Sequence, residues 1–130
     1  MDLVEVRQSR IHGKGVFARK RLPSRRKIGE FVGELISVRE ARRRAKQAPV
    51  VTIVEFEDGK ALDVASDPCF RYVNHSCTPN TYLRRANRRV ELYSLREIHP
   101  GEELTCDYGE THHEGTLPCQ CGSERCREML

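Results

Sequence analysis

The chain has no apolar run long enough for a secretory leader or a membrane span. Its opening residues, Met1-Asp2-Leu3-Val4-Glu5-Val6-Arg7, interrupt any such run with charge. A leader needs about 7–15 apolar residues in a row, and a spanning helix needs about 20. We therefore expect an intracellular protein with no membrane partner, not a secreted one. Apolar material is also scarce. At 130 residues, 38% hydrophobic and 32% charged, the chain suits one domain with one modest core. Strong charge of one sign is missing as well, and a net charge of +4 is too small to identify a partner. No internal repeat, low-complexity tract or long linker is visible.

What the chain does have is six cysteines. In so small a core this density suggests a staple, either disulfide or metal. A reducing setting favours metal. Cys119, Cys121 and Cys126 form a C-x-C-x4-C cluster of three candidate thiolates. A closed structural zinc site takes four ligands, and Cys77 is the best fourth candidate because it lies in a polar motif. A disulfide in the tail is the alternative. Cys69 and Cys106 sit beside apolar or strand-like residues and suit small core positions. Asn74-His75-Ser76 matches the glycosylation sequon, which carries little weight without an export signal.

The local pattern is one of short strands and glycine turns. Leu3-Val4-Glu5-Val6 is followed by the turn His12-Gly13-Lys14-Gly15 and then by Val16-Phe17-Ala18. Ile28 to Ile36 is an apolar run broken by glycines. Val50 to Phe56 ends at Asp58-Gly59, a hairpin signal, with Lys60 to Val64 as the return strand. Arg89 to Leu95 partly alternates before the Pro100-Gly101 turn. These signals predict a mostly β fold with short helices. Ser37 precedes the basic run Arg39 to Lys46, with Glu40 three residues on, a capping-box pattern. It reads as a short solvated helix. A nucleic-acid contact is the alternative, but no aromatic side chains interleave the run, so we expect no direct nucleic-acid ligand.

Two polar segments carry the chemistry. The first is Arg71-Tyr72-Val73-Asn74-His75-Ser76-Cys77-Thr78-Pro79-Asn80 and the second is Gly101-Glu102-Glu103-Leu104-Thr105-Cys106-Asp107-Tyr108. Arg71 offers a fixed cationic fork, and Asn74 and His75 offer donors and acceptors on a short loop. Taken singly, such a histidine or tyrosine is more often structural than functional. Taken together and in this order, the residues identify a family.

The chain resembles the SET-domain protein-lysine methyltransferases. Its two polar segments are similar to their R-F-x-N-H-S-C-x-P-N and G-E-E-L-T-x-D-Y motifs. Gly13-Lys14-Gly15-Val16 resembles their N-terminal G-x-G turn, and Gly29-Glu30-Phe31-Val32-Gly33-Glu34 resembles their G-E-Y-x-G-E strand. The cysteine tail resembles their post-SET zinc segment. The resemblance implies a SET domain over residues 1–110 and a post-SET segment over 111–130. It implies small β-sheets around a pseudoknot, in which the segment ending at Tyr108 passes under a loop beside Asn74 and His75. Such threading is rare among folds.

The implied activity is S-adenosylmethionine-dependent N-methylation of a lysine on a histone tail or another protein. The implied setting is the cytoplasm in a bacterium and chromatin in a eukaryote. By the same resemblance, Lys14, Gly15, Val16, Arg71, Tyr72, Asn74 and His75 bind the cofactor. Tyr108 sits at the transfer point, and Phe31, Cys106 and Tyr108 line the lysine channel. Zinc held by Cys77, Cys119, Cys121 and Cys126 would be structural, since four cysteines leave no open position. A tyrosine hydroxyl ordinarily titrates near about 10, so the implied work of Tyr108 is orientation rather than proton abstraction.

The sequence also departs from the family pattern. Phe31 stands where a channel tyrosine is common, and Cys106 where the family has Phe or Tyr. Asp67-Pro68 replaces the usual Gly-Asn, Phe70 replaces a small residue, and Met129-Leu130 lack a channel-closing aromatic. A roomier channel implies tolerance of higher methylation states. The alternative function is a catalytically weak or idle cofactor- or protein-binding module on the same fold.

Overall fold

The computed structural model describes residues 3–47 and 52–108. Cys119, Cys121 and Cys126 lie outside the described residues, as does the expected boundary at 110–111. In chain order the elements are β1 (Val4–Gln8), β2 (Lys14–Ala18), β3 (Lys27–Glu30), β4 (Glu34–Ser37), α1 (Val38–Gln47), β5 (Ile53–Glu55) and β6 (Lys60–Asp63). A 3-10 turn (Phe70–Tyr72) follows, then β7 (Asn74–His75), β8 (Thr81–Ala86), β9 (Arg89–Ser94) and β10 (Glu103–Cys106). The fold is β-rich, as the sequence pattern predicts. Its strands form three small sheets, ordered β1-β2-β10-β7, β3-β9-β8 and β4-β6-β5.

The first sheet positions the site. β1 and β2 form a hairpin paired from Val4 with Ala18 to Gln8 with Lys14. β10 lies antiparallel to β2 and parallel to β7. Parallel neighbours require a crossover rather than a tight turn, and here the crossover from β7 to β10 contains the whole β8–β9 hairpin. The Ser76 amide donates to the Cys106 carbonyl at 3.0 Å. Asn80 Oδ1 accepts the Thr105 amide at 2.8 Å, and Asn80 Nδ2 donates to the Glu103 carbonyl at 2.8 Å. Thr81 Oγ1 donates to the Thr105 carbonyl at 2.6 Å. Residues 74–76 and 80–81 thus both hold β10, and the loop joining them straddles it. This is the threaded arrangement that the resemblance implies.

The core lies where the sheets meet. Val16, Val90, Leu92, Ile98 and Leu104 are fully buried. In β9 every second residue is buried, the period-2 signature of a strand with one face inward. The glycine-broken run from Ile28 to Ile36 divides into β3 and β4, which belong to different sheets. Part of it is exposed despite being apolar: Val32 is 62% accessible and Leu35 43%. β5 and β6 pair as the Asp58-Gly59 signal predicts, with Gly59 at φ +81°. β7 and β8 have no counterpart in the sequence reading. β8 turns into β9 through Asn87 and Arg88, with φ of 53° and 60°. This is a two-residue turn with both φ positive and without the glycine that normally advertises one.

Helix α1 follows β4 directly. Ser37 Oγ accepts the Glu40 amide at 3.1 Å, so the predicted cap is present. Ala41 and Ala45 are buried. The basic residues between them are ion-paired: Arg42 with Glu55, Arg43 with Glu40, and Arg44 with Glu34, Glu40 and Asp63. Hydrogen bonds from Arg43 and Arg44 lower the Glu40 carboxyl to about 2. The basic run is a solvated helix whose three central arginines are ion-paired, two of them to acids on neighbouring strands. Among the described residues no helix is long and apolar enough to cross a membrane.

Candidate active site

Asn74 is the hub of the site. Its Nδ2 lies 3.1 Å from Ser9 Oγ, 3.1 Å from each of the His12 and Lys14 carbonyls, and 2.9 Å from Glu103 Oε2. An amide nitrogen carries two protons, so four acceptors share two donors. The side chain thereby ties β7 to the glycine turn and to β10. Gly15 is buried at that turn. Val16 is fully buried, with its main chain paired to Val6 on one side and Leu104 on the other.

The second cluster surrounds His75, which is buried. Its Nδ1 accepts the Tyr108 amide at 2.9 Å. Accepting there leaves the ring proton of a neutral imidazole on Nε2, which faces Cys77 Sγ at 3.3 Å. The Tyr108 ring packs against His75 with centroids 5.1 Å apart. Its hydroxyl donates to the Val73 carbonyl at 2.8 Å. β7 and the end of β10 therefore bring His75, Cys77, Cys106 and Tyr108 together. Cys106 is register partner to His75 and is buried among core residues. Burial, then the neighbouring Asp107, pushes its thiol up to about 12.

A third cluster lies beside the glycine turn. The Arg71 guanidinium sits 4.5 Å from the Tyr72 ring centroid, and Lys14 Nζ lies 5.6 Å from the same centroid. Arg71 Nη1 donates to the Ala65 carbonyl at 2.8 Å, and Nη2 donates to the Tyr72 hydroxyl. Lys14 and Arg71 are exposed and Tyr72 is half-buried. Two cations around one aromatic face suit a ligand that carries a carboxylate and a flat ring. Phe31 is buried in the same core cluster as Cys106, against which Tyr108 also packs, and its ring lies on Phe70 with centroids 5.5 Å apart.

Sequence comparisons identify the family. The SET domain profile matches residues 13–109. The chain belongs to the SET-domain family. A histone-lysine N-methyltransferase trithorax of Drosophila virilis is 33% identical over 99% of this chain, which spans 4% of that relative. The H3 lysine-4 specific histone-lysine N-methyltransferase of Schizosaccharomyces pombe is 33% identical over 94% of the chain, which spans 14% of it. Human histone-lysine N-methyltransferase 2B is 31% identical over 99% of the chain, which spans 5% of it. The chain thus corresponds to a small part of each relative.

Within this SET domain, four residues without an assigned role in the sequence prove central. Asp67 is 1% accessible. It accepts the Val32 amide on Oδ2 at 2.6 Å, and the Cys69 and Phe70 amides on Oδ1 at 2.9 and 2.6 Å. The replacement of the usual Gly-Asn by Asp67-Pro68 therefore supplies a carboxylate that fixes the start of the 3-10 turn bearing Arg71 and Tyr72. Ser9 Oγ lies 2.8 and 2.9 Å from the two carboxylate oxygens of Glu103. Glu103 stands inside a recognisable motif, but Ser9 is 94 residues away in sequence, and no local pattern joins them. Asn80 also stands in a motif, and its grip on β10 needs the fold to be seen.

Proposed function

We propose that this SET domain is an S-adenosylmethionine-dependent protein-lysine N-methyltransferase, acting on a lysine of a histone or another protein. The observation that carries this is the pairing of the Tyr108 hydroxyl with the Val73 carbonyl, 2.8 Å apart, at the junction of the two family motifs. Support also comes from relatives whose names are those of histone-lysine methyltransferases.

When bound, S-adenosylmethionine supplies a methyl group on an electrophilic sulfonium. Lys14 and Arg71 offer cations to its carboxylate, Tyr72 offers an aromatic face, and Asn74 and His75 offer main-chain groups on β7. The acceptor lysine attacks as a neutral amine, so the protein's task is alignment rather than acid catalysis. A carbonyl oxygen has two lone pairs, so Val73 keeps acceptor capacity after receiving the Tyr108 hydroxyl. The tyrosine oxygen keeps its own as well. Two fixed acceptors of this kind orient an amine and favour the partial positive charge of a methyl group in transit. The His75 ring accepts the Tyr108 amide and packs against the Tyr108 ring, so both the main chain and the ring of Tyr108 are held.

Transfer of labelled methyl from S-adenosylmethionine to histones and to a mixed protein extract tests the reaction. Tyr108→Phe should fold normally and lose activity by on the order of a hundredfold, the scale for one preorganised polar group. Wild-type protein that binds the cofactor yet labels nothing would make the chain a binding module instead.

The same proposal includes structural zinc on Cys77, Cys119, Cys121 and Cys126. Among the described residues no group of three or more His, Cys, Asp or Glu is arranged to hold a metal. The support is the donor chemistry, four thiolates for a closed site, together with the half-buried position of Cys77 beside His75. Zinc-free purified protein with normal stability would remove it.

A further inference from the structure

The space beside Gly15 is filled. A Cβ built on Gly15 would lie 2.3 Å from Glu103 Oε2, 2.8 Å from Glu103 Cδ and 3.0 Å from Ser9 Cβ. Gly15 does not need a left-handed conformation, unlike Gly13 at φ +49°, so its φ does not by itself call for glycine. What excludes a side chain there is the Glu103 carboxylate. That carboxylate receives the Ser9 hydroxyl on both oxygens and the Asn74 amide on Oε2. Ser9 Oγ also accepts the Ile11 amide at 2.9 Å, which ties the chain just before the glycine turn to the same cluster. Among the described residues no salt bridge reaches Glu103, and its side-chain donors are Ser9 and Asn74.

We propose that Glu103 is a positioning residue for the methyl donor, and that Gly15 is glycine to admit Glu103. This deepens the function proposed above and rests on it. One carboxylate on β10 meets the segment before the turn through Ser9, the turn through Gly15, and β7 through Asn74. It therefore fixes the spacing between the Lys14–Gly15 segment and Asn74–His75, the two segments offered to the cofactor. Glu103 itself need not touch the ligand. A Cβ at Gly15 displaces the carboxylate, and loss of the carboxylate frees the turn. Both changes should disturb the same geometry.

The test is a double-mutant cycle with Gly15→Ala and Glu103→Asp, in which the shorter acid leaves room for the new methyl. Binding of S-adenosylmethionine is measured by calorimetry well below each variant's melting temperature, and KM and kcat are measured alongside. We expect Gly15→Ala to weaken binding by at least about tenfold. The double variant should recover about tenfold relative to the sum of the single losses, a coupling typical of residues in contact. Glu103→Gln, of nearly unchanged volume, should raise the cofactor KM by about tenfold, the scale of one charge-assisted hydrogen bond, with a smaller change in kcat. A purely structural role predicts lower melting temperatures with wild-type affinity in the folded protein. That result, or strictly additive losses in the cycle, overturns the proposal. Wild-type protein that fails to bind S-adenosylmethionine overturns the function itself, a separate outcome read before any variant is made.

Discussion

The sheet β1-β2-β10-β7 and the lobe formed by α1 with β4-β6-β5 are both rich in polar contacts, but they use them differently. In the first, side chains bond to main chain or to one another across long stretches of sequence. Asn74 reaches the glycine turn, Asn80 reaches β10, and Ser9 reaches Glu103. Asn74, His75, Asn80 and Thr105 are all buried, and among the described residues no buried side-chain polar atom lacks a partner. In the second, arginines and glutamates pair at the surface. Buried polar groups must be satisfied at one geometry or cost stability, whereas exposed ion pairs contribute little. The first arrangement therefore specifies a shape, and the second mainly keeps a helix soluble. This explains how so dense a basic run coexists with a site built elsewhere.

Asn80→Ala should break the first region most severely. It removes the acceptor of the Thr105 amide and the donor to the Glu103 carbonyl, leaving two main-chain groups near β10 unsatisfied. At about 1–3 kcal/mol for each such group, we expect a loss of about 3 kcal/mol in denaturant unfolding. A loss under about 1 kcal/mol would mean that the threaded segment is held by apolar packing alone.

Cys106 tests the same region through pH. Its thiol titrates near 9.0 when unperturbed and at about 12 in the fold, chiefly through burial. Between these values the unfolded chain has released the proton and the folded chain retains it. The unfolded state then binds fewer protons, so stability falls as pH rises. The stabilisation is complete below about pH 9 and is lost progressively toward 12, by about 1.4 kcal/mol for each pH unit at full slope. Cys69 shifts in the same direction, from burial and then Asp67, and other groups titrate here as well. The informative quantity is thus the difference in alkaline slope between wild type and Cys106→Ala. Equal slopes would show that the thiol is solvated in solution. At neutral pH the native Cys106 should also resist alkylation.

Much of this architecture was legible in the residues, for reasons that are local. The Ser37 cap, the Asp58-Gly59 hairpin and the two polar motifs depend on neighbours a few positions apart, so the sequence displays them. β7 has two residues and gains its identity only by lying beside β10. β8 turns into β9 on Asn87-Arg88, where tertiary pairing overrides a weak turn signal. The candidate site divides along the same line. Arg71, Tyr72, Asn74, His75 and Tyr108 announce themselves as a motif. The contacts of Asp67, Ser9 and Glu103 span distances at which no spacing rule operates. Gly15 is the clearest case: as a sequence feature it suits close approach of a ligand, and in the fold its missing side chain makes room for Glu103.

The smallest expected effect is the one that most directly tests the contrast between the regions. Arg43 is 61% accessible and pairs with Glu40 at 2.6 Å, a short contact that would rank high in a count of salt bridges. Glu40 retains Arg44 when Arg43 is removed, and the lost pair is solvated, so Arg43→Ala should leave stability unchanged within the error of the measurement. Ser37→Ala in the same lobe should cost more, about 1 kcal/mol, because it leaves a helix N–H without its cap. Denaturant unfolding of the two variants in parallel ranks them. If Arg43→Ala costs as much as Asn80→Ala, surface pairing carries real weight in this protein. The division between a shape-specifying sheet and a solubilising helix then fails.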